Sequence, residues 1–187
     1  MSRHKFLEKM AHSRVNYWVT VVCDLSGAVF FLFYGVSRWS SGWLASLVAV
    51  VLGYLVWGYL EYVLHRWILH GPKTVAQEGH ARHHVEARAL VSTPFFVITG
   101  GALVIFGLLR LAIPVDVASL TVFGIYSGYN YFALLHHAEH HFEWDIATPY
   151  FGRLREIHEI HHLRPRTNFG TTTSLWDRVF GTFLSRV

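Results

Sequence analysis

Histidine stands out in this chain both in number and in spacing. There are 14 among 187 residues, and twelve of them fall within 65–84 and 136–162. GHARHH carries His80, His83 and His84, and HEIHH carries His158, His161 and His162. Residues i, i+3 and i+4 share one face of an α-helix, so each motif would present three imidazoles to one side. HHAEHH adds two i, i+4 pairs, His136 with His140 and His137 with His141. HRWILH sets His65 and His70 five apart, about 140° round an ideal helix. That pair must either serve two different metals or sit on a distorted helix end.

A lone histidine needs no special reason, but this many gathered imidazoles have no structural purpose. Any that were protonated would repel each other, whereas a metal takes them neutral. Imidazole suits zinc, copper, iron and nickel alike, so ligand type does not name the ion. The count says more: about ten donors exceed what one ion accepts and match two ions sharing a pocket. Glu61, Glu78, Glu139 and Glu159 lie near in sequence and are candidates to hold the outward ring nitrogens. His4 and His12 belong to a basic amino-terminal arm and are expected to bind nothing.

The elements that must position these residues read as membrane helices. Hydrophobic residues make up 52% of the chain and charged residues 15%, against about 25% charged in an ordinary soluble domain. Seven Trp, nine Tyr and 14 Phe suit a membrane interface. The net charge of +4 fits an anionic lipid surface, and so apolar a composition argues against a nucleic-acid binder. Cys23 is the only cysteine, which excludes an internal disulfide and any cysteine-pair metal site.

Four spans are expected, at about 17–36, 43–60, 94–113 and 117–135, each close to the length that crosses a bilayer. Asp24 in the first is expected to face the bundle interior, and Arg110 in the third to snorkel outward. Gly27, Gly53, Gly58, Gly100, Gly101 and Gly107 would allow close helix contacts. The amino-terminal apolar run is too long for a signal peptide, and no cleavage site follows it. Arg3, Lys5, Lys9 and Arg14 precede the first span. Arg66, Lys73, Arg82 and Arg88 lie between the second and third, and Arg153, Arg155, Arg164, Arg166, Arg178 and Arg186 follow the fourth. Only Arg38 and Arg110 fall on the other side, so both termini and the central loop are expected in the cytoplasm. The expected architecture is an all-α integral membrane protein, a single domain over 1–187. Its four transmembrane helices carry a cytoplasmic histidine-rich helical head formed by 61–93 and 136–187.

EYVLHRWILH, GHARHH, the histidine-rich segment after the fourth span, and HEIHH followed by NFGTTTSLWDRVFGTF resemble the fatty acid hydroxylase superfamily. That superfamily also includes sterol desaturases and carotenoid hydroxylases. The E-Y-x-x-H-R-x-x-L-H opening, and the run from GHARHH through RALVSTP, resemble its fatty acid 2-hydroxylase branch; the likeness covers about 54–183. The resemblance implies ten ligands to two metals: His65, His70, His80, His83, His84, His136, His140, His158, His161 and His162. In the third cluster the family's H-x-x-x-H-H fits His136, His140 and His141, the first two being taken as ligands. His137 and His141 are the alternative register.

The activity so implied is insertion of one oxygen atom from O2 into a C–H bond of a lipid acyl chain. The substrate is a fatty acid or ceramide-type lipid, with the 2-position as the site of attack. Two non-haem irons activate the oxygen and a reductant supplies two electrons. Zinc in the same positions would mark the site without running the reaction. Some relatives carry a fused haem domain; this chain has no room for one, which implies a separate electron-donor protein. Arg153, Arg155, Arg164 and Arg166 would receive an acidic donor, or else serve only orientation and lipid headgroups. Asp177, beyond the last histidines, reads as a cap or salt bridge closing the metal head rather than a catalytic group. The enzymatic rival is a sterol or carotenoid hydroxylase or desaturase with the same centre. The rival from another class is a non-redox metal-binding or transport protein, although transport would require polar ligands along the spans. The host membrane is expected to be a bacterial plasma membrane, with the endoplasmic reticulum as the alternative.

Overall fold

The structure is a computed structural model that describes residues 3–142 and 148–186. The side chains of Arg3 and His4, which entered the charge and histidine counts above, lie outside the described residues. Helices run over Arg3–Ala11 (α1), Arg14–Ser37 (α2), Trp43–Val63 (α3), Val75–Val85 (α4), Phe96–Leu109 (α5), Val115–His141 (α6), Pro149–Leu163 (α7) and Leu175–Val179 (α8). A π-helical turn, Leu64–Leu69, continues α3. Among the described residues there is no strand.

Side chains at the starts fix several of these helices. Ser13 accepts from the Asn16 N–H at 3.3 Å, Thr74 from that of Gln77 at 3.2 Å, and Thr148 from that of Phe151 at 3.5 Å. Each hydroxyl satisfies a backbone donor that a helix start would otherwise leave open. Pro149 follows Thr148 at the first helical position of α7, where its missing N–H costs nothing.

Among the described residues two helices, Arg14–Ser37 and Trp43–Leu69, are long and apolar enough to cross a membrane. The apolar α5 has 14 residues, about 21 Å at 1.5 Å per residue, and is shorter at both ends than the 94–113 expected. Its approach is held as loop, because the Asn16 amide donates to Ser92 Oγ and Thr93 O, both at 2.9 Å, and accepts from the Phe95 N–H. Its far end turns at Arg110, whose guanidinium bonds Ile113 O at 3.2 Å. α6 is helical over the residues 117–135 expected as a span, although it is not among the two helices apolar enough to cross a membrane, and it continues through the third histidine cluster.

The chain divides into two compact units, Met1–Trp57 with Leu90–Asn130, and Gly58–Ala89 with Tyr131–Val187. In the first, α2 buries Asn16, Thr20, Asp24, Ala28, Phe31 and Gly35, all on one helical face. Ala28 and Phe31 meet Ala102 of α5 and Val122 and Tyr126 of α6 in the core. Asp24 faces inward as expected, accepting from Tyr126 Oη at 3.3 Å, while Val22 (63% exposed) and Phe33 (68%) point outward. Polar inside and apolar outside is the pattern of a helix bathed in lipid rather than water.

α3 and α6 touch backbone to backbone within this unit. A Cβ at Gly53 would lie 2.2 Å from Thr121 O, and one at Gly124 would lie 2.2 Å from Val50 O. Gly27 abuts the Tyr126 ring, whereas Gly58 has only ordinary contacts and Gly100, Gly101 and Gly107 meet nothing within 4 Å. Of the glycines expected to pack closely, Gly27 and Gly53 do so. At the start of α6, buried Asp116 accepts from the Ser40 and Ser41 N–H groups at 2.7 Å each and from Ser41 Oγ at 3.0 Å.

Candidate metal centre

In the second unit the π turn settles the odd spacing of His65 and His70. The His70 N–H reaches the His65 carbonyl at 3.1 Å, an i→i+5 bond that places residues five apart one above the other. Both imidazoles therefore serve one centre from a distorted helix end, with ring centroids 5.1 Å apart.

Two groups of five histidines result. His65, His70, His80, His84 and His161 each offer a nitrogen, all within 4.8 Å of one another, and so do His83, His136, His140, His158 and His162. The groups interleave. Each H-x-x-H-H motif gives its first and last histidines to its own group and its middle one, His83 or His161, to the other. His84 and His162 stack across the pair with centroids 4.4 Å apart. The ten histidines named above are those brought together. His137 and His141 stack on each other at 4.2 Å, outside both groups.

Two main-chain carbonyls orient rings in the first group. His65 Nδ1 lies 2.6 Å from Phe169 O and His161 Nδ1 lies 2.7 Å from Thr167 O. A carbonyl only accepts, so both rings carry their proton on Nδ1 and turn a bare Nε2 inward. His80 Nε2 lies 3.0 Å from those of His65 and His70 and 3.1 Å from that of His84, with at most one proton to share among three. Such convergent lone pairs repel unless a cation lies between them.

The spacings suit a metal ion. Two nitrogens each about 2.1 Å from a shared ion lie about 3.0 Å apart at a right angle and about 3.4 Å apart at a tetrahedral one. The contacts of 3.0–3.1 Å in the first group and 2.9–3.2 Å in the second lie close to the spacing of two donors on one ion.

Burial keeps these rings neutral. It pushes His70 and His140 down to about 4, His161 and His162 to about 3 and His83 to about 2, with neighbouring imidazoles pushing most of them further. His80, His136 and His158 are lowered for the same reasons. Neutral imidazoles are the form that binds metal.

Two of the acidic residues expected behind the rings bond elsewhere. Glu61 accepts from the N–H groups of Thr171 and Thr172, and Glu159 pairs with Arg155. Glu78 stands in the first turn of α4. Glu139 is buried, neither oxygen has a hydrogen-bond partner, and burial pushes its carboxyl up to about 8. Sequence reasoning missed Thr167 and Phe169, which work through carbonyls that no side chain advertises. The one available signal was the Asn-Phe-Gly turn, where Asn168 adopts a φ of 53°.

Two adjoining groups of five histidines, each able to hold a metal ion, thus stand in a protein that is helical and carries two candidate membrane spans among the described residues. The fatty acid hydroxylase family model matches residues 50–182, most of the chain, and the chain belongs to that family. It is 32% identical over 142 residues to a dihydroceramide fatty acyl 2-hydroxylase of Arabidopsis thaliana, covering 71% of this chain and 59% of the relative. A ceramide very long chain fatty acid hydroxylase of Saccharomyces cerevisiae is 28% identical, covering 96% of this chain and 48% of its own length. The chain thus spans about half to three-fifths of these relatives. A solved structure of full-length scs7p, with only the hydroxylase domain visible, superposes with a TM-score of 0.77 at 25% identity over 96% of this chain and 70% of that one.

Proposed function

We propose that this chain is a membrane-bound di-iron oxygenase that hydroxylates a lipid acyl chain, a fatty acid or ceramide-type lipid, at the 2-position. The convergence of ten neutral imidazoles in two sets of five carries the reading. Two irons bound there would supply the activation of O2 that an unreactive C–H bond requires. The chain's own part is to hold the donors. The π turn aligns His65 with His70, α4 and α7 supply three rings each, and α6 supplies His136 and His140. Thr167 O and Phe169 O fix two tautomers, and burial excludes the protons and water that would compete for the nitrogens.

The reading extends to the surroundings. Four spans are proposed, with α5 and the first part of α6 joining the two long helices, and both termini and the centre facing the cytoplasm as the basic residues indicate. A separate protein would deliver electrons. Arg153 and Arg155 pair with Glu156 and Glu159, which leaves the exposed Arg164 and Arg166, just after His161 and His162, to meet an acidic donor. A sterol substrate is the second reading, favoured by 29% identity over 150 residues to a cholesterol 25-hydroxylase-like protein of Danio rerio.

Elemental analysis of protein from iron-supplemented cells tests the centre. Close to two metals per chain are expected, lost in a His83→Ala, His161→Ala double variant and kept in His137→Ala, His141→Ala. Incubation in lipid nanodiscs with a chemical reductant should then yield 2-hydroxylated acyl lipid by mass spectrometry. Protein that binds no metal would overturn the reading; hydroxylated sterol without hydroxylated acyl chains would favour the second.

A further inference from the structure

The loop after α7 does more than cap the head. Four successive N–H groups point into two buried carboxylates: Phe169 and Gly170 donate to Asp177, both at 2.8 Å, and Thr171 and Thr172 donate to Glu61, at 2.5 and 2.9 Å. Thr172 Oγ1 also donates to Glu61, and Thr182 Oγ1 to Asp177 at 2.7 Å. Glu61 is 2% exposed and Asp177 0%, so neither is a surface charge that happens to lie near.

The backbone between the two functional carbonyls is equally fixed. Asn168, in the left-handed region that few non-glycine residues enter, lies between Thr167 and Phe169. Its side chain donates to Ile157 O at 3.3 Å and Leu184 O at 2.8 Å and accepts from the Leu184 N–H at 2.8 Å. Gly170 is packed so closely that a Cβ would sit 2.1 Å from Thr173 O. The carbonyls of Thr167 and Phe169 then have one direction left, toward His161 and His65.

Both tethered rings belong to the group of His65, His70, His80, His84 and His161. Among the described residues no ring of the other group bonds a carbonyl through its outward nitrogen, and the buried Nδ1 of His158 has no hydrogen-bond partner. Outer partners of this kind hold a ring in orientation and raise its strength as a donor. The peptide that carries Phe169 O has its N–H, that of Gly170, on Asp177, so this carboxylate also polarises the carbonyl that holds His65; the peptide of Thr167 O has its N–H on Thr182 O, and Glu61 acts by fixing the loop.

We infer that Glu61 and Asp177 are positioning residues for one metal only: through the 167–172 loop they preset His65 and His161, making their group the tighter site and the other the exchangeable one. This rests on the two-metal reading above.

Single-site backgrounds separate the two. His136→Ala, His140→Ala leaves the tethered group intact, and His70→Ala, His84→Ala leaves the other. Co(II) affinity is measured in each by chelator competition and by its visible spectrum, with and without Glu61→Gln. The tethered group should bind Co(II) more tightly than the other. Glu61→Gln should weaken cobalt binding about 10–100-fold and shift the spectrum in the first background, while changing the second by less than about twofold. Asp177→Asn should repeat the pattern and serves if Glu61→Gln does not fold. Equal weakening in both backgrounds would mean a merely structural role, and no weakening in the first would equally overturn the inference. Failure of both backgrounds to bind cobalt would remove the two-metal reading, and the inference with it.

Discussion

His83 and His161 hold the same place in two H-x-x-H-H motifs, and each stands in the group built on the other motif. Proximity in sequence therefore misleads about shared chemistry. His80 and His83 share a helix but face different groups, whereas His80 and His161 come from different helices and face the same one. In double-mutant cycles read by metal affinity, His80→Ala and His161→Ala should couple by about 0.5–3 kcal/mol, as members of one network do. His80→Ala and His83→Ala should each act on its own metal and combine additively within about 0.5 kcal/mol. The reverse pattern would dissolve the interleaving.

The α3–α6 crossing predicts which glycines matter. Gly53→Ala and Gly124→Ala each force a methyl to within 2.2 Å of a carbonyl oxygen, so the helices must part. Overpacking of this kind costs about 1–3 kcal/mol. Gly100→Ala and Gly107→Ala meet open space and should gain up to about 1 kcal/mol from helix propensity. Thermal unfolding of the four variants in detergent should separate them into two pairs of opposite sign.

Asp116 should set an acid limit on the first unit. Burial by itself would raise its carboxyl, but the Ser40 and Ser41 N–H groups and the Ser41 hydroxyl outweigh that and hold it at about 2. A carboxyl depressed on folding contributes stability above its unfolded value near 3.9, and loses that contribution as pH falls through the folded one. Wild-type Tm should therefore fall between about pH 4 and pH 2 by more than that of Asp116→Asn. At pH 7 the variant should already be less stable by about 1 kcal/mol, since the Ser40 and Ser41 N–H groups bond a neutral amide oxygen less strongly than a carboxylate.

What the sequence disclosed, and what it did not, follows from where the information resides. The faces of α4 and α7 were legible because i, i+3, i+4 is a property of the helix itself. The five-residue step from His65 to His70 signalled a distortion, and the π turn is its physical form. Packing glycines were only half legible: Gly53 and Gly100 look alike in a string, and only the position of α6 tells them apart. Glu61 stood near the histidines as expected, but its charge is spent on backbone N–H groups. The carbonyls that hold His65 and His161 are common to every peptide, and folding alone singles out those two.

The interleaving also orders events in time. His161 Nε2 lies 3.1 Å from His84 Nε2, yet it is 77 residues later in the chain. While a ribosome is still making the segment between them, His65, His70, His80 and His84 have no fifth partner, and closing so long a loop precedes any reward from the contact. Neither set of five is complete until α7 has been synthesised and docked. Metal capture should therefore be a late, nearly all-or-none step in biogenesis, and a nascent chain stalled before α7 should leave the ribosome without its full complement of ions.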